Sequence, residues 1–221
     1  MTDMTGFLAD VRIYGPGFLM AAWTVLWLTI LTILVSWVAG LVAALGQRSK
    51  WRGARAAAEF YIWFIRGTPS LIQVFIVYFG FPQIGIRLSP FTAGVLALGF
   101  NGGAYIAEII RSGLLAIPRG QTESALALGF NHASTMRSII LPQVFRIILP
   151  SLTNEAISTL KNTSLLSTIT VVELTLYAQT LISATFRPFD FYIAVAVIYL
   201  VLTTILTQLA SWLERRYEMQ A

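Results

Sequence analysis

Five residues between positions 151 and 162 carry the most suggestive chemistry in this chain. Ser151, Glu155, Ser158, Thr159 and Asn162 recur at three- and four-residue steps. On a helix they form one polar stripe in an otherwise apolar run. Glu155 and Asn162 would lie about 10 Å apart along that helix, from its rise per residue. An ionised carboxylate only accepts hydrogen bonds, whereas hydroxyls and an amide also donate. The stripe therefore suits a bound solute with groups of both kinds, hydrogen bonding to a neighbouring helix, or a wet cavity.

Two smaller groups stand beside it. In "RGTPS", Pro69 removes a backbone donor and Gly67 loosens the helix, which predicts a kink or discontinuity. Arg66 needs an acid, and Glu108 in the next apolar stretch is the expected partner. With Thr68, these residues read as structural or gating rather than as ligands. Gly102 and Gly103 mark a place where helices can pack closely. Lys161 falls off the stripe on a helical wheel, so it is expected to snorkel or to pair with an acid elsewhere. A direct contact with an anionic group of a solute is the alternative.

Other chemistries are poorly supplied. There is no cysteine and a single histidine, His132, which excludes disulfides, thiolate sites and multi-histidine zinc sites. Without paired aspartates in the apolar stretches, no catalytic residue and no metal site is expected. His132 reads as a polar surface residue.

These residues must be positioned by elements built for a bilayer. Hydrophobic residues make up 57% of the chain and charged residues 11%, less than half the usual share of a soluble domain. Apolar stretches long enough to span fall at about 18–45, 56–81, 90–117, 139–165 and 189–213, with a weakly apolar stretch at about 170–185. Five spans in a single all-α domain place the termini on opposite faces. One set of loops holds Arg48, Lys50, Arg52, Arg55, Arg119, Arg137, Arg215 and Arg216, and the other only Arg12, Arg87 and Arg187. The positive-inside rule then puts the N-terminus outside and the C-terminus in the cytoplasm. The same rule accounts for the excess of 15 basic over 10 acidic residues, and no basic, aromatic-laced patch suggests nucleic acid. The N-terminus, with Asp3, Asp10 and one Arg12, lacks the cationic start of a removable signal peptide.

Between the third and fourth stretches lies a polar segment, "GQTESALALGFNHASTM", predicted as a short cytoplasmic helix over 120–136 that Thr122 could cap. Such a helix can rest on headgroups or tie spans together. Its spacing is more specific. Glu123, Ala125, Gly129, Ile139 and Leu141-Pro142 resemble the EAA motif of ATP-binding-cassette (ABC) importer permeases, with Ser124 in place of the motif's second alanine. "RGTPSLIQVFIVYFGFP" (66–82), "AYIAEIIRSGLLAIPRGQTESALALG" (104–129) and "LPQVFRIILPSLTNEAISTLKNTSLLSTI" (141–169) are similar to the polar amino acid branch of that family. That branch carries histidine, arginine, glutamine, cystine and opines.

The resemblance implies the type I ABC importer permease fold of five core helices, in a multi-pass protein of the bacterial inner membrane. It implies a second permease subunit, a pair of ABC ATPase subunits, an extracytoplasmic solute-binding protein and an amino-acid substrate, besides the surrounding lipid. Glu123, Ser124, Ala125, Leu128, Gly129 and Phe130 would belong to a coupling helix seated on the ATPase. Glu155 and Asn162 occupy positions that grip substrate in carriers of cationic amino acids, where both are acids. An amide at the second position points away from a strongly cationic substrate. Ser151, Ser158, Thr159, Thr163 and Ser164 would line the same path. No G-x-x-x-x-G-K-[ST] occurs, so ATP and magnesium are expected on the partner ATPase and no cofactor in this chain. The competing reading is an ion-coupled carrier or channel that works without an ATPase.

Overall fold

The structure, a computed structural model, describes the backbone of residues 4–218 and the side chains of residues 10–216. Asp3 lies outside the described residues. The described chain is helical. Helix α1, Met4–Gln47, contains Pro16 yet runs for 44 residues. At 1.5 Å per residue that is about 66 Å, twice the thickness of a bilayer's hydrocarbon core. It therefore reaches well beyond the apolar stretch at 18–45.

The stretch at 56–81 is not one straight span. Helix α2, Arg52–Gly67, stops at Thr68, and α3, Ser70–Phe75, starts after Pro69 and continues through 76–84 in wider and then tighter turns. The two parts meet at 112°. Pro69 cannot continue the helix, and the extended backbones of Thr68 and Pro69 turn the chain.

Helix α4, Pro90–Ala116, begins with Pro at its first position and with Ser89 Oγ accepting from the Thr92 amide. It is the central helix. In its most apolar window 67% of residues are buried, against 11% for α9, which lies at the outside of the chain. Small residues bring α4 against α1. A methyl added at Gly103 would sit 2.7 Å from the Ala39 Cβ, and one at Gly40 would sit 2.6 Å from Ile106. The close packing expected of the 102–103 glycines is present.

The polar segment is not one helix but two. Helix α5, Arg119–Ala127, ends in a turn whose centre is Gly129, at φ +87°, and α6, His132–Thr135, follows. The Phe130 amide donates to Ala125 O and the Gly129 amide to Leu126 O. That pairing satisfies the last carbonyls and favours glycine at the left-handed position. Asn131 Oδ1 then accepts from the Ser134 amide at 2.8 Å and starts α6. Pro118, not Thr122, stands at the cap of α5.

A wide turn over 136–140 leads into α7, Leu141–Asn162, which contains Pro150 and tightens over 163–169. Helix α8, Leu174–Thr185, is capped by the buried carboxylate of Glu173, which accepts from the Thr175 and Leu176 amides and from Tyr199 Oη at 3.0 Å. Helix α9, Pro188–Glu218, closes the chain. Before it, Arg187 pairs with Asp10 at 2.8 Å and Asp190 at 2.7 Å, which tie α1 to α9 and raise the guanidinium pKa above its ordinary value. Three of these helices are long and apolar enough to cross a membrane, or five if each bent pair counts as one.

Candidate functional site

The break between α2 and α3 borders a cavity of about 400 Å³. Thr68, Pro69 and Ser70 form one wall. Asn101 and Tyr105, one turn apart on α4, form the second, and Glu155, Ser158, Lys161 and Asn162 on α7 the third. The volume falls within the range of about 300–1,000 Å³ usual for small-molecule sites.

The break survives inside the protein because a side chain completes it. Where α2 ends, its last carbonyls have no helical donors. The Gln73 side-chain amide donates to Ile65 O at 2.8 Å, Thr68 O at 3.1 Å and Thr68 Oγ1 at 2.9 Å. Its own oxygen accepts from Asn101 Nδ2 at 3.0 Å. Gln73 and Asn101 are 5% and 7% exposed, so this is a buried network joining the broken helix to α4. Neither residue stood out in the sequence. The available signal was an amide in an apolar span, which must find a partner.

On α7 the stripe divides. Glu155, Ser158 and Asn162 face the cavity, and Lys161, expected off the stripe, joins them. The Glu155 carboxylate makes no hydrogen bond or ion pair among the described residues. It lies against α4 at Gly102, where an added methyl would stand 3.4 Å from its oxygen and 2.5 Å from Ser36 Oγ. Gly102 thus makes room chiefly for Ser36 of α1, with the acid at contact distance beside it. The remaining stripe residues are outside the cavity lining. Ser151 is exposed and Thr159 is buried. Thr163 Oγ1 donates to Leu160 O and Ser164 Oγ to Lys161 O, so both hydroxyls satisfy the end of α7.

Arg66 and Glu108 approach to 3.8 Å, as expected. Glu108 is held more closely by Arg111, through Nε at 3.0 Å and a second contact from Nη2. The i,i+3 spacing on α4 made that pair legible and the sequence reading passed over it. Arg66 also lies over the ring of Tyr105, 5.7 Å from its centroid. Tyr105 lines the cavity, so this charged cluster begins where the cavity wall ends.

The α5–α6 segment forms a separate feature. Glu123, Ser124, Leu128, Gly129 and Phe130 are exposed, with Leu128 at 78%. Ala125 is buried and packs inward. His132 is exposed. Among the described residues, no group of three His, Cys, Asp or Glu residues is arranged to hold a metal ion.

Known proteins extend this picture. The chain is 40% identical over 195 residues to the L-cystine transport system permease protein TcyB of Bacillus subtilis (strain 168), covering 86% of this chain and 82% of that one. It is also 40% identical over 196 residues to the glutamine transport system permease protein GlnP of Escherichia coli (strain K12), covering 88% and 90%. The crystal structure of an amino acid ABC transporter with histidines superposes with a TM-score of 0.90 at 42% identity, over 95% of this chain and 98% of that one. Residues 36–219 match the family described as "Binding-protein-dependent transport system inner membrane component". The chain belongs to that family, as a multi-pass permease of the inner membrane.

Proposed function

We propose that this chain is the permease for a polar amino acid or amino-acid derivative in an ATP-driven importer, and that its substrate rests between α4, α7 and the α2–α3 break. The reading rests on one observation: an unpaired carboxylate, Glu155, beside a cavity that also receives a lysine, Lys161. A zwitterion needs acceptors for its ammonium and donors for its carboxylate. Glu155 offers the first. Lys161, Ser158, Asn162 and Ser70 offer the second. Relatives named for cystine and glutamine transport support a substrate of this class. Membership in a binding-protein-dependent family weighs against the ion-coupled carrier.

Each bent pair counts as one span in this reading. The chain then crosses five times, with the N-terminus outside and the basic loops and α5–α6 in the cytoplasm. A partner ATPase dimer, carrying ATP and magnesium, would grip the exposed Leu128 and Phe130 beside Glu123 and Ser124. A second permease subunit and an extracytoplasmic binding protein complete the assembly. ATP binding draws the ATPases together, the α5–α6 segments move with them, and access to the cavity alternates. Arg66, with Glu108 and Tyr105, stands at the cavity's edge as a gate.

The test is ATP hydrolysis by the reconstituted assembly with its binding protein. Glu155→Gln should retain basal hydrolysis and lose most of the stimulation by substrate-loaded binding protein. Full stimulation with unchanged selectivity would remove Glu155 from the site.

A further inference from the structure

A second cavity, of about 150 Å³, lies where the last turns of α1 and α4 meet. Its chemistry differs from that of the first. Ala44, Ile110 and Leu114 give it an apolar floor, while Arg48 and Arg111 bring two guanidinium groups to it. Arg48 makes no side-chain hydrogen bond or ion pair among the described residues. Arg111 uses Nε and Nη2 on Glu108, which leaves Nη1 free of that pair. Gln47 also lines the cavity, and its side-chain carbonyl oxygen is buried without a donor. A buried acceptor left unmatched is costly, so a ligand that brings a donor is favoured there.

The cavity opens beside an exposed apolar surface. Leu41 and Leu45 share one face of α1 at i and i+4, 51% and 62% exposed, and Arg48 follows directly after the helix ends. Leu115 of α4, 70% exposed, borders the cavity. Any occupant must therefore satisfy two cations, one acceptor and an adjoining apolar strip. A soluble anion such as hydrogen phosphate can meet the first two but not the third.

We infer that the α1–α4 cavity is a binding site for an anionic glycerophospholipid whose headgroup carries a hydroxyl, of the phosphatidylglycerol class. The phosphate lies between Arg48 and Arg111, the glycerol hydroxyl donates to Gln47, and the acyl chains run along Leu41, Leu45 and Leu115. Basic pockets between helices at the cytoplasmic ends of spans suit such headgroups. The assignment to the inner leaflet rests on the orientation given under Proposed function.

Native mass spectrometry of the full-length permease in detergent, titrated with dioleoyl lipids, tests the site. Phosphatidylglycerol should bind at one retained lipid per chain, ahead of phosphatidylethanol, which has the same charge and no headgroup hydroxyl, and of phosphatidylcholine. Arg48→Gln should weaken it about fivefold, the effect of one basic residue at a charged lipid, whereas Arg52→Gln at the start of α2 should not. Gln47→Leu should erase the preference for phosphatidylglycerol over phosphatidylethanol. Excess inorganic phosphate should not displace the lipid. Equal binding of phosphatidylcholine, equal weakening by Arg52→Gln, or displacement by phosphate would each overturn the proposal. Orientation is measured separately: the cysteine-free chain carrying Ser49→Cys should be labelled only from the cytoplasmic side. Labelling from outside would overturn the orientation while leaving the lipid titration to decide the site.

Discussion

Two of the breaks between helices, at 67–70 and at 128–131, are built in opposite ways. The break at 67–70 is completed by side chains: Gln73 reaches back to Ile65 O and Thr68 O, and Asn101 holds Gln73 in place. The break at 128–131 is completed by the backbone, through the left-handed Gly129 and the amides of Gly129 and Phe130, with Asn131 starting the next helix. The surroundings of the completing groups explain the difference. Gln73 and Asn101 are buried, where a polar group needs a protein partner, whereas at the exposed turn water serves the rest. The first break, itself partly exposed, lines the cavity and forms one of its walls. The exposed break presents Leu128 and Phe130 outward, 78% and 42% exposed. In the proposed reading, one break shapes a site within the chain and the other a contact with a partner.

Mutations should separate the two. The largest effect is expected from Gln73→Leu, which strips donors from Ile65 O and Thr68 O and leaves Asn101 without its acceptor. Buried groups so orphaned cost about 1–3 kcal/mol each, so a clear fall in the unfolding temperature in detergent is predicted. An unchanged unfolding temperature would mean that the break does not depend on this network.

Gly129→Ala should cost less, about 1–2 kcal/mol, because an L-residue is strained at φ +87° while nothing within 4 Å blocks the methyl. The change should be confined to the α5–α6 turn. Helical content by circular dichroism should hold while stimulated hydrolysis falls. Equal loss of basal and stimulated hydrolysis would show that the turn does not couple.

Leu128→Ser should have the smallest effect on the fold, within about 0.5 kcal/mol as for exposed positions generally. Its effect should appear in the affinity of the permease for its ATPase, measured by co-purification. Undiminished co-purification would place the contact elsewhere.

Much of this organisation was legible in sequence, for physical reasons that can be stated. Pro69 and Gly67 announced the first break because neither continues a helix well. The i,i+3,i+4 repeat of Glu155, Ser158 and Asn162 placed those three on one face, and they do meet at the cavity. The repeat could not say where that face ends. Thr159 turned inward, Thr163 and Ser164 were drawn to the carbonyls of the α7 terminus, and Lys161 took a place beside the acid. The motif places Gly129 in a coupling helix. Its positive φ shows a structural task as well, ending α5, and so the helix expected over 120–136 is two. Gln73 and Asn101, 28 residues apart, meet only after α2 and α3 have folded against α4. No local pattern encodes that pair.

The division of labour can be tested directly at the cavity. Titration calorimetry of the permease–ATPase assembly in detergent, without binding protein, should show a polar amino acid binding to the wild type. Glu155→Gln should weaken that binding by at least about tenfold, since a charge-assisted hydrogen bond contributes about 1.5–3 kcal/mol. Leu128→Ser should bind like the wild type. Binding that is unaffected by Glu155→Gln, or weakened equally by Leu128→Ser, would contradict the assignment of the pocket to α7 and of the partner contact to α5–α6.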